Sequence, residues 1–245
     1  MPKMVLLDAR LFTGGADLSG ASNKIELTAE VEDKDVTNFR SGGWKEVLGG
    51  IASAEVNGEG QWEAGDPSMV DDASWVQLGG VGAWTVCPTD STPGALAYFT
   101  RALRASYALG GSVGDVAPWT GNAKSSWPLV RGVIEHPPGV ARTADGASAG
   151  VELGPVAAGR RLYAALHVLS VAGTSTPSLT VAVETDADDT FASPNTQLAF
   201  DAATAQGGQV LRTAGDAITD GWARVSWTIT GTTPSVLFVV ALGIA

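Results

Sequence analysis

The stretch Lys24-Ile25-Glu26-Leu27-Thr28-Ala29-Glu30-Val31-Glu32 alternates without a fault, apolar at odd positions and polar at even ones. A period of two places successive side chains on opposite faces of an extended chain, so this segment must be a half-buried strand. One face belongs to a core, and the other faces water or a lumen. The same alternation returns over 51–63, with Ala54, Val56 and Trp62 directed inward, and over Val225, Trp227 and Ile229. Val31, Trp44, Trp62 and Trp227 are accordingly expected in the core. Glu26, Glu30 and Glu32 share the polar face, either as a lumen lining or as ordinary solvent-exposed surface.

The remaining punctuation is that of a β protein. Asp66-Pro67 opens the one convincing helix, with Asp as N-cap and Pro at the first helical position, and Gly79-Gly80 closes it. Residues 43–48 suggest a further short helical turn. Strand-like segments spaced by Gly, Pro and Thr turns continue to the end, where Val236–Leu242 is apolar on both faces and is expected to be a fully buried strand. The expected class is mainly β: an antiparallel β-sandwich or barrel over residues 1–138 with one short helix, a linker over 139–150, and a second β-sandwich, jelly-roll-like or tube-like, over 151–245. The linker assignment rests on His136-Pro137-Pro138-Gly139 and the small residues after it.

Charge and rare residues narrow the chemistry. Charged residues make up 17% of the 245, well below the roughly 25% usual for a soluble domain, so neighbouring subunits are expected to cover part of the surface. The net charge of −11, with no run of Lys or Arg, argues against gripping a phosphate backbone. A single cysteine, Cys87, excludes an intrachain disulfide and is read as a small buried hydrophobe. Two histidines, His136 and His167, lack the spacing of a metal site, and Asp186-Ala187-Asp188-Asp189 lacks the glycine and distal glutamate of a helix–loop–helix calcium site. Neither a nucleophile elbow nor a carboxylate pair stands out, so the chain is read as a non-enzyme without cofactor or metal. The segment Met1-Pro2-Lys3-Met4-Val5-Leu6-Leu7-Asp8 meets a charge too soon for a signal peptide, and the longest apolar run, 236–245, is too short to span a bilayer.

Several segments carry a resemblance. Ser22-Asn23-Lys24-Ile25-Glu26-Leu27, Glu30 to Thr37, Gly43-Trp44-Lys45-Glu46 and Gly60-Gln61-Trp62 resemble the N-terminal region of major tail tube proteins from long-tailed, siphovirus-type bacteriophages. Gly114-Asp115-Val116-Ala117-Pro118 with Leu129-Val130-Arg131-Gly132 is similar to that family too, as is Leu162 to Val168 with Trp227 to Gly231. The resemblance implies a subunit that joins copies of itself into six-fold or pseudo-six-fold rings, either six chains or three. The rings stack into a tube through which DNA passes without specific binding. It also implies a tape measure and a tail terminator as partners, manufacture in a bacterial host's cytoplasm and a final place in the virion tail. Two other classes stay open: a carbohydrate-binding accessory module, which would need exposed aromatics in a groove of the second part, and a capsid decoration protein.

Overall fold

The computed structural model of the chain describes residues 5–245, so Met1–Met4 of the segment weighed as a signal peptide lie outside the described residues. The fold is mainly β, and its strands join in one large antiparallel sheet that is not closed. A short hairpin, β1 (Arg10–Thr13) and β2 (Ala16–Asp17), leads into a long one, β3 (Ser22–Asp35) and β4 (Val47–Gln61). The helix α1 (Val70–Gln77) follows, then β5 (Val81–Cys87), β6 (Leu96–Leu109), β7 (Pro118–Ser125) and β8 (Val130–His136). The helix starts three residues later than the Asp66-Pro67 signal. Asp66 spends its side chain on an Asx turn instead, accepting from the Ser68 N–H at 2.9 Å and the Ser68 hydroxyl at 2.6 Å.

Beyond residue 138, two-residue strands β9 (Gly146–Ala147) and β10 (Val151–Glu152) lie along β14 (Trp222–Ile244). Between them in sequence come β11 (Leu162–Asp186), β12 (Asn195–Ala199) and β13 (Gly207–Arg212). β11 and β14 pair along nearly their whole length, broken at residues 172–178. Gly173, Gly231 and, unusually, Ser175, Thr176 and Thr233 have positive φ there. That break is a corner: it folds the ribbon over so that its two halves face each other as the layers of a sandwich. Between the layers lie Leu166, Val181, Val183, Val225, Phe238 and Val240. Val236–Leu242 is enclosed as its unbroken apolarity requires, because one face meets this core and the other meets a second one.

That second core is the seam of the molecule. β8 pairs with both β6 and β14, carrying the sheet from the first part into the second. The sheet then curls so that Phe12, Phe99, Val130 and Ile134 pack on Tyr163, Ala165, Val239 and Ala241. Where the curl brings the β1–β2 turn against β13, backbones nearly touch. A Cβ on Gly15 would lie 2.4 Å from the Gly207 nitrogen, and one on Gly208 would lie 2.8 Å from Gly14, so only glycine fits.

The first part has its own core of Leu11, Leu18, Val56, Val70, Trp84 and Trp119. Buried within it is Arg104 on β6, whose guanidinium lies 4.8 Å from the Trp84 ring centroid and 6.0 Å from that of Trp119. Its three guanidinium nitrogens have no hydrogen-bond partner among the described residues, and burial lowers its pKa to about 10. The two indole faces compensate the charge in part.

Candidate assembly surface

The residues of unusual exposure gather on the β3–β4 hairpin. Near its root the ribbon behaves as its alternation demands. Ile25 and Leu27 pack against the first core, Val56 is 2% exposed, and β7 pairs with β4 from Glu55 to Gln61. Ser125 clasps the end of that contact, its hydroxyl accepting from the Ala54 N–H at 2.8 Å. Beyond this point neither strand has a further partner among the described residues, and residues 29–35 and 47–53 stand out as a two-stranded arm roughly 25 Å long.

Along this arm the apolar face continues after the body that should cover it has ended. Val31 lies across from Ala52 on the same face as Leu27 and Val56, yet it is 63% exposed. The ladder then slips between Val31 and Asp33, opposite Gly49 and Gly50, and Val47, Leu48 and Ile51 are exposed as well. Val31 and Trp44 therefore leave the list of core residues. Alternation reports which face is apolar, not whether the same chain encloses it. Trp62 is half-buried, its indole N–H donating to Asp71 Oδ1 at 3.1 Å and Tyr107 Oη at 3.3 Å. Trp227, at 7% exposed, is buried against His136 and Phe238.

The tip, residues 36–46, is ordered by its own polar groups and contains no helical turn. The Val36 N–H donates to the Glu46 carbonyl, and the Trp44 N–H to that of Ser41. Thr37 Oγ1 accepts from the Glu46 N–H, Asp35 Oδ1 from the Thr37 N–H, and Ser41 Oγ from the Asn38 N–H. Gly42 and Gly43 take the positive φ that this loop requires. On this frame stand Phe39, fully exposed, and Trp44, 81% exposed. An isolated hairpin is marginal in water, and exposed apolar patches of this kind mark contacts with another molecule. Aromatic side chains held in place before contact lose little entropy when they dock.

The opposite face of the ribbon is acidic. Glu26, Glu30 and Glu32 are all exposed there, joined across the ladder by Glu55, Asn57 and Glu59. Lys24 bonds Glu59 at 2.6 Å and lies 3.7 Å from Glu26, and Lys34 pairs with Glu32. These exposed pairs add little to stability.

The side chains that could have carried chemistry hold the body together. His167 bridges the seam: Nδ1 donates to the Gly14 carbonyl at 2.8 Å, and Nε2 accepts from the Thr85 hydroxyl at 2.7 Å. His136 stacks on Phe238 with ring centroids 4.0 Å apart, donates from Nδ1 to the Phe238 carbonyl and accepts from Arg142 Nε. Burial lowers both rings to about 4. Glu135 accepts from Ser148 at 2.5 Å and the Gly150 N–H at 3.1 Å, and burial raises it to about 7. The proposed linker is thus laid along β14, with Arg142 bridged to Val236. Cys87 is buried in the seam core and raised to about 12, an inert thiol. Among the described residues no three His, Cys, Asp or Glu side chains gather as a metal site would need. No helix among them is long and apolar enough to cross a membrane.

No protein-family model and no curated protein matches the chain. Among solved structures it is similar to the virion of a native gene transfer agent particle, at 22% identity and a TM-score of 0.39, covering 50% of this chain and 93% of that one. It is similar to the sheath/tube terminator of an extracellular contractile injection system, at 12% identity and a TM-score of 0.42, over 54% of this chain and 97% of that one. The hub protein Dit of phage SPP1 matches along 97% of this chain and 99% of its own, at 10% identity and a TM-score of 0.33.

Proposed function

We propose that the chain is a structural subunit of a bacteriophage tail, and within it a tail tube subunit that closes with copies of itself into stacked rings. The observation that carries this reading is the arm: a two-stranded ribbon, apolar where its own body no longer covers it, ending in an ordered tip with two exposed aromatics. Such a ribbon gains its third layer only from another molecule. The N-terminal segments that resemble tail tube proteins, from Ser22 to Glu46 and at Gly60-Gln61, lie in this same ribbon. Residues 1–138 then form the tube-like unit, and 151–245 a second sandwich carried with it. Glu26, Glu30 and Glu32 line the channel, where carboxylates repel a passing polyanion and let it slide.

The carbohydrate-binding alternative loses its main support. It required exposed aromatics in the second part, and all six there, Tyr163, Phe191, Phe200, Trp222, Trp227 and Phe238, are buried or half-buried.

Electron microscopy and mass photometry of the purified protein test the reading. Rings, or tubes of stacked rings, are expected at micromolar concentration. Rings that never stack would replace the tube with a single-ring position in the tail, and monomers alone would overturn self-assembly. Replacing Glu26, Glu30 and Glu32 by Lys should leave ring formation intact and make the channel retain DNA. If the rings form and still ignore DNA, the acidic face lies elsewhere.

A further inference from the structure

The surface that would receive the arm's tip is also on this chain. We propose that Phe39 and Trp44 of one copy seat on the shoulder formed by α1 of a second copy, an inference that rests on the assembly reading above.

The shoulder exposes Trp75, Val76, Leu78 and Val81, which the helix and the start of β5 turn away from the first core. Beside it runs a groove of about 460 Å³, floored by the Gly14–Gly15 turn and Gly207 and walled by Pro67, Val76, Gln77 and Val81. Its walls are fixed in place. Gln77 in the wall is tied to Thr13 by bonds of 2.5 and 3.3 Å, and on the shoulder outside the groove Trp75 meets Tyr107 edge-on with centroids 6.0 Å apart. The groove is of the size and apolar character that accepts aromatic anchors.

Charge selects the match. The tip, residues 36–46, carries Arg40 and Lys45 against the single carboxylate Glu46, with Lys45 Nζ 3.5 Å from Asp33 at the end of the arm, whereas residues 63–72 carry Glu63, Asp66, Asp71 and Asp72 and no base. An aromatic tip led by the Arg40 guanidinium thus faces an acidic-rimmed, apolar shoulder, and the rim charges steer the approach and fix its register. Donor and recipient are different patches of one chain, so the contact can repeat head-to-tail, the arrangement that generates rings when its rotation closes.

The test uses the full chain and three variants. Arg40→Glu with Lys45→Glu, and separately Glu63→Lys with Asp66→Lys, should each weaken association about tenfold or more. The quadruple variant should recover it. Circular dichroism and melting confirm that each variant folds. In parallel, Trp44→Cys and Val76→Cys placed in one chain should cross-link on oxidation into a ladder of oligomers, since Cys87 is buried. The same two changes in separate chains should stop at dimers. If the wild type forms rings but the charge swap gives no rescue and the cysteines no ladder, the tip docks elsewhere and this proposal fails while assembly stands. If the wild type never assembles, both fail.

Discussion

The root and the arm of the β3–β4 ribbon have the same pattern and opposite fates. At the root, Val56 and Leu27 point into a core closed by β7, Trp119 and α1. About 13 Å further along, Val31 and Ala52 continue that face and are exposed. The chemistry of the strand does not change between the two; what changes is where the body stops. An apolar stripe that outruns its own core stabilises nothing while it stays in water and would do so once a neighbour covered it. The root should therefore govern folding and the arm should govern association.

The largest effect should come from emptying the root's core. Trp119 is fully enclosed and donates to Ser74 Oγ at 2.9 Å, so Trp119→Ala should cost about 3–5 kcal/mol in urea unfolding. Trp44→Ala, the same chemical change on the arm, should leave monomer unfolding untouched and weaken assembly about tenfold or more in mass photometry. Equal effects of the two on unfolding would break the comparison.

Next in size is the acid response, which belongs to the body because both histidines lie there. His136 and His167 titrate near 4 when folded and near 6.5 when unfolded, so the unfolded chain takes up their protons first. Their stabilisation is complete above pH 6.5 and is lost as pH falls through 4, about 3 kcal/mol for each ring. Glu135 runs the other way: its contribution is present below 4.5 and is lost as pH rises through about 7. Two rings against one carboxyl leave the chain less stable at pH 4.5 than at 6.5. His167→Gln should flatten that slope, and an unaltered slope in pH-dependent melting would remove His167 from the account.

A smaller effect of opposite sign is expected at Arg104. Exchanging its unpaired guanidinium for a thioether of similar length, Arg104→Met, removes a buried charge and should stabilise the chain by about 1–3 kcal/mol. A lower melting temperature would show that stacking between Trp84 and Trp119 outweighs the desolvation. Trp62→Ala sits between root and surface. Being half-buried, the indole should cost about 1–2 kcal/mol, below the value for full enclosure. Smallest of all, Glu26→Gln, Glu30→Gln and Glu32→Gln together should leave melting unchanged, because these carboxylates stand in solvent.

Much of this was legible in the residues themselves. Strict alternation over Lys24–Glu32 and around Trp227 determined the strands and which side of each is apolar, since the pleat leaves no other way to segregate such side chains. The unbroken run 236–242 determined a strand enclosed on both faces. Only the tertiary structure decided what covers each face. It placed Val56 under β7 and left Val31 bare, and it set Trp44 on a tip built from Asp35, Thr37 and Ser41 hydrogen bonds. It also drew His167 across to Gly14, 153 residues away. Period and composition are local properties of the chain, whereas burial depends on which distant segments arrive.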